Sequence, residues 1–344
     1  MFRDNTVFVI GAGASAEFGM PVGTQLMETI RHNCAFRTEL GRVKEGQPAI
    51  YSHLMRDVDR SNAKHVDQVN AKLSAMGQIA ESIDMAESID EYIFRFSDQP
   101  PVMEMGKLQI AFAIASAEKS CFLSSNNGFN SGVGFSVANQ TWIYTFAKAL
   151  CNGVRRTEVK SIGSNITIIC FNYDRCIEQY LEHAIVHAYP GLDPQLAREI
   201  VSEINIIHPY GWLGALKDFP LGDDDRFPEM AENLITWSES MRDPQVKERM
   251  GHAVSQAETI VFLGFAFARQ NMDLLRTEEK DGTRIVSVFA TGYGLEPEAE
   301  NAYKENICQL YHPSAQEFAT NRIVVQWSTT CAPFMSKHRY NLVQ

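Results

Sequence analysis

The chain has 344 residues, 45% of them apolar and 21% charged, and its 31 Lys and Arg stand against 42 Asp and Glu for a net charge of −11. These proportions exclude a mostly disordered or collagen-like chain, and the length allows a large core without disulfide staples. The acidic balance argues against nucleic acid as a direct ligand, because duplex binding rests on phosphate neutralisation, but a small anion held by backbone amides stays open.

The first element is Thr6-Val7-Phe8-Val9-Ile10, a short apolar run rich in β-branched residues that Gly11 stops. It reads as a buried parallel strand. Similar runs recur at Ile166 to Phe171, Ile204 to His208, Thr259 to Gly264, Arg284 to Ala290 and Arg322 to Trp327. Helical patterns lie between them at Tyr173 to His187, Pro194 to Ser202, Pro228 to Val254 and Pro297 to Leu310. Strand-helix alternation of this kind predicts an α/β protein with a doubly wound, Rossmann-like parallel sheet.

The stretch from about Arg31 to Asn165 breaks the alternation and shows no convincing strand. Val66, Val69, Leu73, Met76, Ile79 and Ile83 recur near helical spacing within Asn62 to Phe96. Met103 to Phe122 and Trp142 to Leu150 are again helical, and Ser124 to Gly134 reads as a loop. We therefore expect residues 31–159 to be a large helical insertion, with residues 1–30 and 160–344 forming the sheet domain, because a lone N-terminal strand needs a sheet to join.

The seven cysteines are odd in number and contain no C-x-x-C pair, which argues against a disulfide framework and a zinc site. Cys170 reads as a small core residue rather than a nucleophile. No run approaches the roughly 18 consecutive apolar residues of a membrane span, and structure beginning by Thr6 leaves no signal peptide, so a cytoplasmic protein off the membrane is expected.

Gly11-Ala12-Gly13-Ala14-Ser15-Ala16 follows the first strand with G-x-G-x-x-A spacing. Small residues here let backbone amides approach a pyrophosphate at a helix start. Hydride-transfer folds need a full helix next, then a second strand ending in an acidic residue about 20 positions on. Gly19-Met20-Pro21 interrupts the helix after about one turn, and Thr24 to Leu40 does not read as a strand. A nucleotide site without that architecture is expected. Other motifs are weak: His183 and His187 lack the glutamate of H-E-x-x-H, Asp223-Asp224-Asp225 is a solvated loop, and neither a nucleophile-elbow serine nor a P-loop is present.

The run from Gly11 to Pro21 resembles the sirtuin nucleotide-binding signature, in which GAG-x-S is followed by G-I-P. Cys170-Phe171-Asn172-Tyr173-Asp174 is similar to the T-Q-N-x-D strand end of sirtuins, and closer still to the N-Y-D of bacterial sirtuin-like defence proteins. Ile207-His208-Pro209-Tyr210-Gly211 lies where the family has its catalytic His-Gly, and Leu263-Gly264-Phe265-Ala266-Phe267 resembles the segment lining the far side of the dinucleotide. The zinc ribbon of deacylase sirtuins is absent, and their F-R after the proline is replaced by Val22-Gly23. These departures fit the NAD+-consuming sirtuin-like proteins of bacterial anti-phage systems.

The resemblance implies an NAD+ glycohydrolase that releases nicotinamide and ADP-ribose as an effector of abortive anti-phage defence, with NAD+ as substrate and no metal. It implies binding residues Gly11, Ala12, Gly13, Ser15, Asp174, Tyr210, Gly264 and Phe265, and catalytic residues Asn172 and His208. Gating would come from a homo-oligomer or from a partner protein such as a HerA-type ATPase or an Argonaute-like protein. A non-catalytic module sensing NAD+ or ADP-ribose is the alternative, and a protein deacylase a third. Nicotinamide leaves already cationic, so no general acid is needed, only a held ribose and a positioned water. Asn172 at a strand's carboxyl end suits that task, and a neutral histidine at position 208 suits a base. Asp174 either holds ribose hydroxyls or caps the helix that follows. A strand running through Pro209 would turn His208 and Tyr210 to the same side.

Overall fold

The computed structural model describes the chain except residues 40–41, 57, 125–136, 277–285, 312–315 and 317–319. Six parallel strands form one sheet: β1 (Thr6–Ile10), β4 (Ile166–Cys170), β5 (Asn205–Ile207), β6 (Thr259–Leu263), β7 (Ser287–Gly292) and β8 (Ile323–Trp327), in the order β5-β4-β1-β6-β7-β8. Every residue of β1 and β6 is buried, so both faces of the sheet centre are covered by helices, as their unbroken apolar runs require. Counted along the chain, the sheet strands run 3-2-1-4-5-6, the doubly wound order. The order reverses between β1 and β6, and ligands of such sheets bind beyond the carboxyl ends at that reversal.

The predicted strands differ from these bounds by one to three residues at their ends; Arg284 and Ile285 lie outside the described residues, as does the expected loop beyond Ser124. The helix after β1 is a single turn, α1 (Ala12–Ser15), then a 3-10 turn that Gly19 closes with φ +88°. The chain runs into the insertion through α2 (Gly23–Cys34), and the insertion carries α3 (Pro48–Met55), α4 (Ala63–Ser82), α5 (Ile89–Arg95), α6 (Pro100–Ser120) and α7 (Trp142–Cys151). Met76, Ile79 and Ile83 of the expected stripe are fully buried. One expectation fails here: β2 (Arg37–Glu39) and β3 (Arg42–Glu45) pair as a small antiparallel hairpin. Their short, charged sequences carry none of the β-branched alternation that reveals a strand.

The sheet half adds α8 (Cys176–Ala188), α9 (Pro194–Glu203), α10 (Phe227–Ala231), α11 (Trp237–Arg242), α12 (Pro244–Gln256), α13 (Arg269–Leu275), α14 (Glu300–Cys308) and α15 (Cys331–Leu342). The single helix expected over Pro228 to Val254 is thus three. Thr236 opens α11 in a capping box with Glu239, and Asp243 caps α12 ahead of Pro244, so each new start ends the previous helix.

The insertion shares one core with the sheet half. Trp142 donates its indole N–H to the Ala14 carbonyl at 2.9 Å, and Glu17 accepts from the backbone N–H groups of Trp142 and Ala332, each at 2.9 Å. Buried Glu118 on α6 pairs with buried Arg175, the residue before α8. The insertion therefore braces both the glycine turn and the end of β4. Among the described residues, no helix is long and apolar enough to cross a membrane.

Candidate functional site

The carboxyl ends of β1, β4 and β6 are in register, with Ile10 beside both Cys170 and Leu263. The glycine turn leaves β1 at that point. Gly11 donates its N–H to the Leu263 carbonyl and Gly13 to the Gly264 carbonyl, each at 3.0 Å. A Cβ on Gly11 would stand 2.5 Å from the Gly264 oxygen, and one on Gly13 2.9 Å from the Gly264 Cα. Gly264 has φ +57°, and a Cβ there would meet the Ala14 nitrogen at 2.0 Å. Backbone-on-backbone contact alone demands all three glycines. The Gly13 N–H is committed to Gly264, and the half-buried Ala12–Gly13 edge is the outward surface of the turn.

Beneath that turn lies a buried polar cluster. The Asn172 amide donates to Ser15 Oγ at 2.8 Å and to the Gly11 carbonyl at 3.1 Å. Asp174 bonds Ser15 as well, and accepts from the Cys176 N–H at 3.1 Å. Burial pushes the Asp174 carboxyl up, and the bonds from Ser15 and Cys176 offset part of that. The helix expected from Tyr173 starts instead at Cys176, with Arg175 at its N-cap and Asp174, one residue earlier, accepting the Cys176 N–H. Asp174 therefore holds the first N–H of α8, close to the capping role read from the sequence, and also reaches the serine of the glycine turn. Cys170 is a buried strand residue whose thiol burial pushes up.

Phe265 and Tyr210 close the same end of the sheet. Phe171 packs against Phe265 at 5.3 Å and Tyr210 at 5.8 Å between ring centres. The Tyr210 hydroxyl donates to Asn271 Oδ1 on α13 at 2.7 Å. From the insertion, Asp90 on α5 accepts the hydroxyl of Tyr173, beside Tyr210. Burial pushes Asp90 up to about 6, the tyrosine bond working against it.

His208 does not join this group. Strand β5 ends at Ile207, and His208-Pro209-Tyr210-Gly211 forms a turn in which Gly211 donates to the His208 carbonyl at 3.0 Å. The two side chains therefore take different partners. The His208 Nε2 pairs with Glu178 Oε1 on α8 at 2.9 Å, its Nδ1 faces the Asn172 carbonyl at 3.3 Å, and its ring stacks on Trp212 at 5.0 Å. Burial alone would push the imidazole down, but Cys170 and Glu178 outweigh it and hold His208 well above the ordinary histidine range. Both ring nitrogens face oxygen acceptors, which favours the protonated ring.

The sequence reading missed Glu178, Trp212, Asn271 and Asp90. Only Glu178 carried a local signal, since it follows Asp174 at helical spacing of four. No protein-family model and no curated protein matches the chain.

Proposed function

We propose that the protein cleaves the N-glycosidic bond of NAD+ by hydrolysis, releasing nicotinamide and ADP-ribose. The observation that carries this reading is the Ser15–Asn172–Asp174 cluster, set directly under a glycine turn at the point where the sheet order reverses. The Ala12–Gly13 edge takes the pyrophosphate, and Gly264 and Phe265 wall the far side. Asn172 and Asp174 hold the nicotinamide ribose and orient the water. An oxocarbenium-like ribose is reactive enough that positioning carries most of the task. Tyr210 lines this side; burial pushes its hydroxyl far up, so it orients by hydrogen bonding and takes no proton. His208 supports Asn172 from behind through its main-chain carbonyl. The resemblance to anti-phage effectors extends the reading to NAD+ depletion on infection, gated by self-assembly or by an ATPase or Argonaute-like partner.

The test is calorimetric NAD+ binding together with nicotinamide release. Asn172→Ala should abolish release, with a circular dichroism spectrum unchanged from wild type. If the wild-type chain neither binds nor cleaves NAD+, the reading falls. Binding without release favours the sensing module instead.

A further inference from the structure

A cavity of about 600 Å³ lies between α7, α8 and α15, toward the carboxyl ends of all three helices. Its volume is in the range of small-molecule sites. The opposite ends of these helices are tied to the glycine turn and the Asn172 cluster: Trp142 and Ala332 donate their N–H groups to Glu17, and Cys176 donates to Asp174. Along α8, Cys176 and His187 at the cavity are roughly 17 Å apart, so the cavity is remote from the glycine turn.

Small side chains leave the space open, with Ala147 on α7 and Ala184 on α8 lining it. Three tyrosines line it as well. The Tyr189 hydroxyl donates to the Cys151 and Val154 carbonyls at 3.4 and 3.0 Å, so its ring is what remains for a ligand. Tyr180 is buried, and Tyr144 has the Lys148 ammonium 5.1 Å from its ring centre.

Charge in the cavity is one-sided. Lys148, His187 and Arg339 line it and no Asp or Glu does, in a chain whose net charge is −11. Among the described residues, neither Lys148 nor Arg339 forms an ion pair or donates a side-chain hydrogen bond. All three basic residues stand in the last turns of their helices, where a cation also meets the helix dipole. Helix ends carry only partial charges, and Tyr189 already meets the carbonyls of Cys151 and Val154, so the two full positive charges are offset only in part. A carboxylate would answer one of them. A phosphate monoester is close to dianionic at neutral pH and has three acceptor oxygens, so it answers both, Arg339 by its planar fork and Lys148 as a point charge. Inorganic phosphate would leave the tyrosine rings unused, whereas an aromatic ring on the ester packs against them.

We propose that this cavity binds a phosphate monoester with an aromatic body, the class of a nucleoside monophosphate, its phosphate at Lys148 and Arg339 and its ring among Tyr144, Tyr180 and Tyr189. The site is separate from the glycine turn and does not depend on NAD+ cleavage.

Calorimetry on the full chain with UMP, uridine and inorganic phosphate tests the proposal; a pyrimidine probe is used because it lacks the adenine of NAD+. UMP should bind at least about tenfold more tightly than uridine or phosphate, and saturating NAD+ should not displace it. Lys148→Ala, at an exposed position that does not threaten folding, should weaken UMP by about tenfold, as for loss of a hydrogen bond to a charged group, and make its binding less sensitive to salt. Arg339→Lys keeps the charge and loses the fork, and should weaken UMP by about threefold or more. Both variants should keep nicotinamide release within about twofold of wild type. The proposal is overturned if UMP does not bind, if uridine or phosphate binds as tightly, if NAD+ displaces UMP, or if either variant binds UMP as wild type does. Asn172→Ala separates the two readings, because it should lose NAD+ cleavage and keep UMP binding.

Discussion

The end of β4 divides two polar clusters of opposite character. Toward β1, the Asn172 amide, the Ser15 hydroxyl and the Asp174 carboxylate bond one another and the backbone, and the glycine turn is locked onto Gly264. Toward β5, a charged pair of His208 and Glu178 adjoins an open cavity and leaves one buried oxygen unpaired. The first cluster is completed by the fold itself, so its residues serve folding as well as any ligand. The second is left incomplete by the fold. A buried polar group without a partner is the sharper pointer to something absent from the chain.

The most damaging change should come from the locked side. Gly264→Val places a branched side chain into the Ala14 backbone at positive φ, and should destabilise by on the order of 4 kcal/mol or more. Gly23→Ala, in open space at the start of α2, should instead be neutral or stabilising by about 0.4–1 kcal/mol. Urea midpoints for both decide the matter. Equal midpoints for Gly264→Val and wild type would show that the turn does not need its close approach. The same contact means Gly13→Val should lower stability along with NAD+ affinity, so Asn172→Ala is the cleaner probe of binding.

A smaller and more diagnostic effect separates His208 from Tyr210. With His208 held by Glu178 and meeting Asn172 through its main-chain carbonyl, His208→Ala should lower nicotinamide release by about tenfold, with a KM close to wild type. Tyr210→Phe removes the bond to Asn271 and should act through KM more than through kcat. A supporting histidine also predicts no fall in rate between pH 6 and 8 traceable to residue 208. A rate that rises with pH in wild type and becomes flat in His208→Ala would restore the histidine to the role of base.

Much of this division is legible in the sequence itself. Buried parallel strands reveal themselves as apolar β-branched runs, so the sheet and its glycine turn could be placed from Thr6 to Trp327. Asn172 and Asp174 followed from their place after such a run. The charged β2–β3 hairpin gave no comparable signal. The parity of His208 and Tyr210 held only as far as Ile207, because Pro209 turns the chain. Glu178, Trp212, Asn271 and Asp90 matter through neighbours that folding alone brings together, and no local pattern encodes such meetings.

The smallest expected effect tests the seam between the insertion and the sheet, which neither side of β4 contains. Asp90 reaches Tyr173 from α5, and burial raises its carboxyl from the ordinary 3.8 to about 6. Below about pH 4 the group is protonated in both the folded and the unfolded chain, and its contribution to stability is fully present. As pH rises from about 4 to 6, the unfolded chain releases the proton first. The unfolded state then binds fewer protons than the folded one, and stability falls with pH by this group's share. Above about pH 6 both states are ionised and the contribution is level. Asp90→Asn should therefore remove a downward slope of less than one proton from the stability profile between pH 4 and 6, read from urea midpoints at unit intervals. Tyr173→Phe removes the donor that holds Asp90 down, and should carry the falling limb above pH 6. If Asp90→Asn and wild type run parallel over that window, the seam holds no raised carboxyl, and the two clusters at β4 are the chain's relevant polar contrast without it.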